Sequence, residues 1–418
     1  MNLQVSTWVV TWGGSIAAPF TVDWGARTES FEVVHERQYQ DAWLLGDDFT
    51  GKYYLGWLKN QSTFGFTTTN TTSRPHTWAT SKYGTGFQTV PLTVAGINSV
   101  VVPPPSDFPV PTNPGTRTLT QVANIYVQQQ IDVIPNRLIL VGGFTFSDIE
   151  VVQDTNISVA APYVANDTAS HQYLHRFGPV VHVTNDVSLY GLESTSYTAG
   201  VGLDFFNRPL PNVQGKSDEV GIKTELFGGK IAASAAAFRM ALTNQRVVVS
   251  GLNIVGQIYS ENIGSTTTRG WDGSVVLTLL PGWQLIGTGY VGTIRNQLNQ
   301  PISLSYLNSW SAFTRYDFDK QGIFKGASIG GGVSRVGGYQ LSSSGETLPG
   351  GAAPPPLIKL QEGTGVDAFI NYSITKHVAL RLNCVNVLDQ TYPNGVETVA
   401  YIDPSMPRTF SLSAIYNF

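Results

Sequence analysis

The chain has 418 residues, of which only 13 % are charged and 11 % aromatic, with 43 glycines and a formal net charge of −4. That charged fraction is about half of a typical soluble domain's, yet mean hydropathy stays at −0.02, which is odd for a soluble chain and unlike a helical membrane protein. The acidic balance argues against nucleic acid as a partner, and no run of 18 apolar residues is present for a transmembrane helix.

A wall of strands with one face toward lipid and the other toward a polar lumen would have this composition. In chain order, Met1 to Trp8 show neither the basic region nor the apolar core of a signal peptide. Up to residue 90 the pattern is blurred and reads as roughly four strands. Beyond it, strands are expected at 118–132, 136–150, 170–184, 186–197, 217–227, 229–243, 256–280, 283–296, 309–319, 325–337, 357–374, 376–389 and 409–418. The total is roughly 16–18 strands, most of them long enough for the roughly 9–11 residues a tilted strand needs to cross a bilayer. Helical periodicity is nearly absent.

The last strand is the clearest. Phe410, Leu412, Ala414, Tyr416 and Phe418 alternate with Thr409, Ser411, Ser413, Ile415 and Asn417, which sets an apolar face against a mostly small polar one. A terminal aromatic on a lipid-facing side suits the interfacial girdle of an outer-membrane barrel. An ordinary strand in a soluble β-domain is the bland alternative. The single cysteine, Cys384, shares a face with Val378, Leu380 and Leu382 and reads as a small lipid-facing hydrophobe.

Connections come in two kinds. Thr184-Asn185-Asp186, Phe227-Gly228-Gly229-Lys230, Leu280-Pro281-Gly282-Trp283 and Ile374-Thr375-Lys376 are tight turns. Long connections are expected at 94–116, 153–169, 199–216, 298–308, 338–356 and 392–408. Short turns at one rim and long loops at the other are the asymmetry of outer-membrane barrels, with the short turns periplasmic.

Candidate chemistry is sparse. His171 and His175, among six histidines, are four apart, which on a strand separates them by about 13 Å, too far to share a metal. Gly330-Gly331-Gly332 lacks the Gly-Lys-Ser/Thr ending of a phosphate loop and reads as close strand packing. No Gly-x-Ser-x-Gly elbow is present and nothing points to an enzyme, a metal site or a cofactor. Aromatics cluster near the long loops. Most of them suit the girdle, and a few could instead contact a bulky ligand: Trp78, Tyr163, Phe205, Tyr306, Tyr339 and Tyr401.

Several segments, in order, resemble the C-terminal barrel of TonB-dependent outer-membrane receptors, the siderophore branch in particular. They are Tyr126-Val127-Gln128 with Leu138 to Phe144, Leu189 to Tyr197, Arg208-Pro209-Leu210-Pro211, Glu219 to Lys230, Thr243-Asn244-Gln245, Pro281 to Leu285, Asn386 to Tyr392 and Pro407-Arg408-Thr409-Phe410. The resemblance covers residues 118–418 best and implies an all-β, transmembrane, antiparallel up-and-down β-barrel filling 1–418, with 1–117 less regular. The family's barrel has 22 strands, so the chain is expected to be partial. The resemblance further implies a place in the outer membrane and its lipid bilayer, a ferric siderophore or similar small-molecule chelate as ligand, and TonB acting through a plug domain. Neither plug nor TonB box is found among these residues, which suggests a truncated or split gene or a start at an internal Met. Two positions depart from the family: Gln129 stands where an Asp is usual and Phe144 where an Arg is. A passive porin-like channel is the alternative.

Overall fold

In a computed structural model, residues 4–23, 28–78, 80–81, 84–85, 87–91, 117–155, 164–200, 210–248, 260–301, 308–318, 322, 324–337, 340–341, 358–360, 362–396 and 402–416 are described, with side chains from Tyr39 onward apart from some strand ends. Sixteen long strands make the wall. They are β1 Gln4–Asp23, β2 Thr28–Leu55, β3 Leu58–Trp78, β4 Arg117–Ile134, β5 Leu138–Thr155, β6 Val164–His182, β7 Val187–Thr198 and β8 Val213–Leu226. The series continues with β9 Ile231–Val248, β10 Ser260–Leu280, β11 Trp283–Asn296, β12 Asn308–Asp317, β13 Ala327–Gly337, β14 Gly363–Ser373, β15 Val378–Val385 and β16 Thr409–Tyr416. Each pairs antiparallel with its neighbour in sequence, from β1–β2 through β15–β16. The short strand Phe87–Pro91 adds to β2. Among the described residues there is no helix and no pairing of β16 with β1, so the sheet is an open, partial barrel wall.

Because directly opposed residues share a face, the register divides the side chains into two sets. One set carries Phe64, Val127, Phe144, Leu189, Val220, Trp271, Val291, Ile329, Ile370, Leu382, Phe410 and Leu412, all large, apolar and exposed. It is the lipid side. Cys384 falls on it, opposite Phe410 and Ala368. The other set is rich in hydroxyls and amides, carries the Lys59–Asp132 and Arg315–Asp317 ion pairs and faces the lumen, while the His175–Glu193–Lys216 and Arg335–Glu362 pairs fall in the first set.

Aromatic rings on the lumen side lie over glycines of the adjacent strand. A Cβ on Gly65 would sit 2.5 Å from the Tyr126 ring, and one on Gly330 would sit 2.4 Å from the Phe369 ring. Phe238 covers Gly270 and Phe313 covers Gly332 in the same way. These pairings pin register, because a ring fits only where the opposing residue has no side chain. They also explain two of the three glycines at 330–332: Phe313 and Phe369 stack at 5.8 Å, nearly parallel, over Gly330 and Gly332, while a Cβ on Gly331 would meet the Asp367 carbonyl of the next strand.

Apart from the four residues 24–27 between β1 and β2, the short connections fall at one rim. Gly56-Trp57, 135–137, 183–186, 227–230, 281–282, 318–326 and 374–377 join successive hairpins there. At 183–186 and 374–377 the chemistry repeats. Val183 N and Ile374 N donate to the carbonyls of Val187 and Val378 at 2.9 Å, and Thr184 and Thr375 hydroxyls accept from Asp186 N and His377 N at 3.1 Å. Gly282 closes its turn at φ 83°, a left-handed conformation that favours glycine.

Several expected boundaries are corrected. The roughly four strands expected before residue 90 are three long ones and the short 87–91 piece, with two-residue pieces at 80–81 and 84–85 between them. The expected loop 153–169 is shortened from both sides, since β5 runs to Thr155 and β6 starts at Val164. Loop 199–216 gives way at Val213 to β8, and β9 runs on to Val248. Conversely, β14 and β15 are shorter than 357–374 and 376–389. The lengthened strands extend toward the long-loop rim, where outward residues need not be apolar and alternation stops marking the strand.

Candidate functional site

The lumen wall is the candidate site, and a nearly continuous polar ladder crosses it. The Tyr126 hydroxyl donates to Asp48 across Gly65. Asn124 Nδ2 donates to Thr67 Oγ1 at 3.1 Å, and the Ser147 hydroxyl donates to Asn124 Oδ1 at 2.5 Å. Tyr197 joins through Ser147 at 2.8 Å. Next, the Tyr190 hydroxyl donates to Glu219 at 2.5 Å, with Lys223 Nζ 5.2 Å from the centre of the Tyr190 ring. Hydroxyl pairs follow, Ser234 with Ser274 at 2.9 Å and Thr288 with Ser311 at 2.7 Å. Arg315 forks onto Asp317 Oδ1 at 2.7 and 2.9 Å. The ladder ends on Arg381, which donates to Asn383 at 2.8 Å while its guanidinium lies 4.5 Å from the Phe369 ring centre. Such groups can hydrogen-bond a polar guest or line a hydrated passage.

Two recesses of equal size lie on this face, one over β4–β7 and one near the turn 183–186. Tyr126, Gln128, Thr145, Leu174, Arg176 and Ser194 line the first, a shallow volume of about 560 Å³. Arg176 has no ion pair or hydrogen bond among the described residues, so its cation is available to whatever enters.

Of the six aromatics expected to meet a ligand, Tyr163, Phe205, Tyr306, Tyr339 and Tyr401 lie outside the described residues. Trp78 is described by backbone alone, as the last residue of β3 opposite His35. The other loop aromatics divide. Tyr53, Tyr54 and Trp57 are exposed at the short-turn rim and suit the girdle, as does Trp310 on the lipid side. Tyr197 instead joins the lumen ladder. The sequence missed Tyr126, Asp48 and Arg176; the phase of alternation in β4, β2 and β6 respectively is the signal that could have found them.

His171 and His175 sit apart, as the strand spacing requires: His171 lies against Phe146 at 6.3 Å, and His175 stacks on Phe177 at 5.4 Å and meets Glu193 Oε1 at 3.2 Å. The two departures from the family pattern also have structural partners. Gln129 Nε2 donates to Asn60 Oδ1 at 2.9 Å and its Oε1 accepts from Ser62, a neutral network where an acid would stand. Phe144 faces lipid, edge-on to Phe177 at 5.0 Å.

The segment after β15 folds into a knot. Asn386 takes φ 51° and is 3 % exposed. Its Nδ2 donates to the carbonyls of Gln390 at 2.9 Å and Met406 at 2.7 Å, and its Oδ1 accepts from Gln390 N at 3.1 Å. Asp389 receives Arg408 N at 2.9 Å and the Arg408 guanidinium at 3.3 Å. The Asn386–Tyr392 and Pro407–Phe410 motifs are therefore two halves of one clasp at the base of a long loop.

An antiparallel meander with an apolar outer belt, short turns at one rim and a polar inner wall defines an integral outer-membrane β-barrel. Residues 4–387 match the family described as TonB dependent receptor-like, beta-barrel, and the chain belongs to it. Among relatives, a metal-pseudopaline receptor of Pseudomonas aeruginosa (strain UCBPP-PA14) is 25 % identical over 262 residues, covering 60 % of this chain and 35 % of the relative. A ferric-pyoverdine 358 receptor of Pseudomonas putida is 24 % identical over 272 residues, 61 % of this chain and 31 % of its own length. The chain thus spans about a third of the curated relatives it matches. The ferripyoverdine receptor of the outer membrane of Pseudomonas aeruginosa, solved bound to ferripyoverdine, superposes with a TM-score of 0.79 at 18 % identity, covering 100 % of this chain and 54 % of that one. The ferric preacinetobactin receptor from Acinetobacter baumannii gives 0.75 at 15 %, covering 100 % and 60 %.

Proposed function

We propose that this chain forms the barrel wall of a TonB-dependent receptor taking up a ferric siderophore or a similarly bulky metal chelate. Family membership across 4–387 carries the reading. The relatives named for pseudopaline and pyoverdine support the substrate class. Iron here is cargo already coordinated by its chelator, so the wall needs aromatic surface and hydrogen-bonding groups rather than metal ligands. The polar ladder and Arg176 supply such groups on the lumen side, and Trp78, Tyr163, Phe205, Tyr306, Tyr339 and Tyr401 are the proposed contacts toward the long-loop rim. TonB would act through a plug packed against the lumen face. On this reading the protein is a transport receptor and not an enzyme; the charge-poor wall and the family match disfavour the passive-channel alternative.

The test is uptake of radiolabelled ferric siderophore by iron-starved cells that carry the gene and lack other siderophore receptors, with and without TonB. Uptake confined to TonB-positive cells is expected. Equal uptake without TonB would mean a passive channel, and transport of cobalamin or a saccharide instead would overturn the substrate class.

A further inference from the structure

Besides the His175–Glu193–Lys216 and Arg335–Glu362 ion pairs, the lipid side carries a feature that an apolar belt does not explain. In β9 and β10, Arg239 and Arg269 are directly opposed across the ladder. Both are exposed. Like charges directly opposite destabilise a strand pair. Neither arginine has an ion pair or hydrogen bond among the described residues. The nearby acids are engaged elsewhere: Lys216 Nζ lies 2.7 Å from Glu193 and 3.8 Å from Asp218, although Asp218 stands opposite Arg239 in the register.

Position makes the pair informative. One pleat repeat nearer the short-turn rim, on the same face, the residues are Val220, Ala237, Trp271 and Val291. Val220 is 63 % exposed and Trp271 65 %. Apolar belt therefore changes to paired guanidinium within two residues, roughly 7 Å. With the short turns periplasmic, the arginines lie on the outer-leaflet side of the belt.

We infer that Arg239 and Arg269 form a clamp for the phosphate headgroup of an anionic outer-leaflet lipid, whose acyl chains lie on the Val220–Trp271–Val291 surface. Two guanidinium forks suit a phosphate held between them, since each presents parallel donors to two oxygens. The bound anion removes the repulsion that the facing arginines otherwise suffer. Lys216, held by two acids, frames the site without competing for the phosphate.

The experiment compares the purified full chain, folded in detergent, with the double variant Arg239→Gln/Arg269→Gln. Fluorescence of Trp271 and its neighbours reports titration with mixed micelles containing a diphosphorylated glucosamine lipid, phosphatidylglycerol or phosphatidylcholine. Wild type should bind the two anionic lipids at least tenfold more tightly than phosphatidylcholine, and the double variant should lose that preference. Arg239→Lys/Arg269→Lys keeps the charge without the fork and should fall between them. It also serves as the folding-competent comparison if the Gln variant does not fold. Millimolar inorganic phosphate should compete poorly; competition equal to the lipid's would reduce the site to a free-anion site and overturn the lipid assignment. An unchanged lipid preference in the Lys and Gln variants would overturn the clamp itself.

Discussion

The two faces of the wall use the same backbone ladder and opposite side-chain chemistry. On the lipid side most contacts are unspecific: Phe, Leu, Val and Trp lie exposed, and a neighbour's exact shape matters little, with the His175–Glu193–Lys216 cluster and the Gln129–Asn60–Ser62 network as polar exceptions. On the lumen side, contacts are specific: hydroxyls meet hydroxyls, phenols meet carboxylates, and rings fill the space over glycines. The lipid face thus sets where the wall sits, and the lumen face sets how its strands line up.

The largest separation between the faces should come from charge. Val220→Arg, within the belt, is expected to destabilise the folded wall by about 2–4 kcal/mol at midplane depth, whereas Thr288→Arg on the lumen side should cost under about 1 kcal/mol. Urea titrations in phospholipid vesicles read both, and equal losses would erase the distinction between the faces. Glycine substitutions come next. Gly332→Leu should cost about 1–3 kcal/mol, because its side chain must displace the Phe313 ring. Gly289, on the lipid side with nothing within 4 Å of a built Cβ, should accept Ala with a change within about 0.5 kcal/mol. Thermal unfolding followed by gel mobility would show whether the two positions differ.

A smaller effect is expected at the phenol. Asp48→Ala leaves the Tyr126 hydroxyl without its acceptor and should cost about 1–2 kcal/mol, part of which Tyr126→Phe in the same chain restores. A double-mutant cycle with no coupling would show that the contact contributes nothing. Among the polar contacts the smallest effect is set by Ser311→Ala, which removes a single hydroxyl pair with Thr288 and should cost about 0.5–1 kcal/mol.

How much of this was legible depended on the face. Where both faces kept their chemistry over the whole strand, the sequence read well: 283–296 was expected and Trp283–Asn296 is found. The last strand, expected at 409–418, is Thr409–Tyr416 with its apolar residues on the lipid side. β2 defeated the reading for a physical reason. Its 28 residues run well beyond what a bilayer requires, and Glu32, Glu36, Arg37 and Asp41 occupy the surplus. Its turn into β3, Gly56-Trp57, also lacks the Asn-Gly or Asp-Gly signature of a two-residue hairpin. The lumen site was legible only as residue types. Which side Tyr126 or Arg176 faced, and that Asp48 met a phenol 78 positions away, followed from register, which composition and turn signals do not fix.

The clasp at Asn386 has a consequence for variation. Ser405 N donates to the Tyr392 carbonyl at 2.7 Å, and Tyr392 N to the Ser405 hydroxyl at 3.1 Å, so the loop between them starts and ends at a point already tied by Asn386 and Asp389. Closing a longer loop on a fixed base adds only about 0.6 kcal/mol for each doubling of its length. The segment 393–404 can therefore be lengthened, shortened or exchanged while the strands beneath it keep their pairing. The knot turns this rim position into a socket for interchangeable inserts, a route by which descendants of one wall could diverge in what they capture.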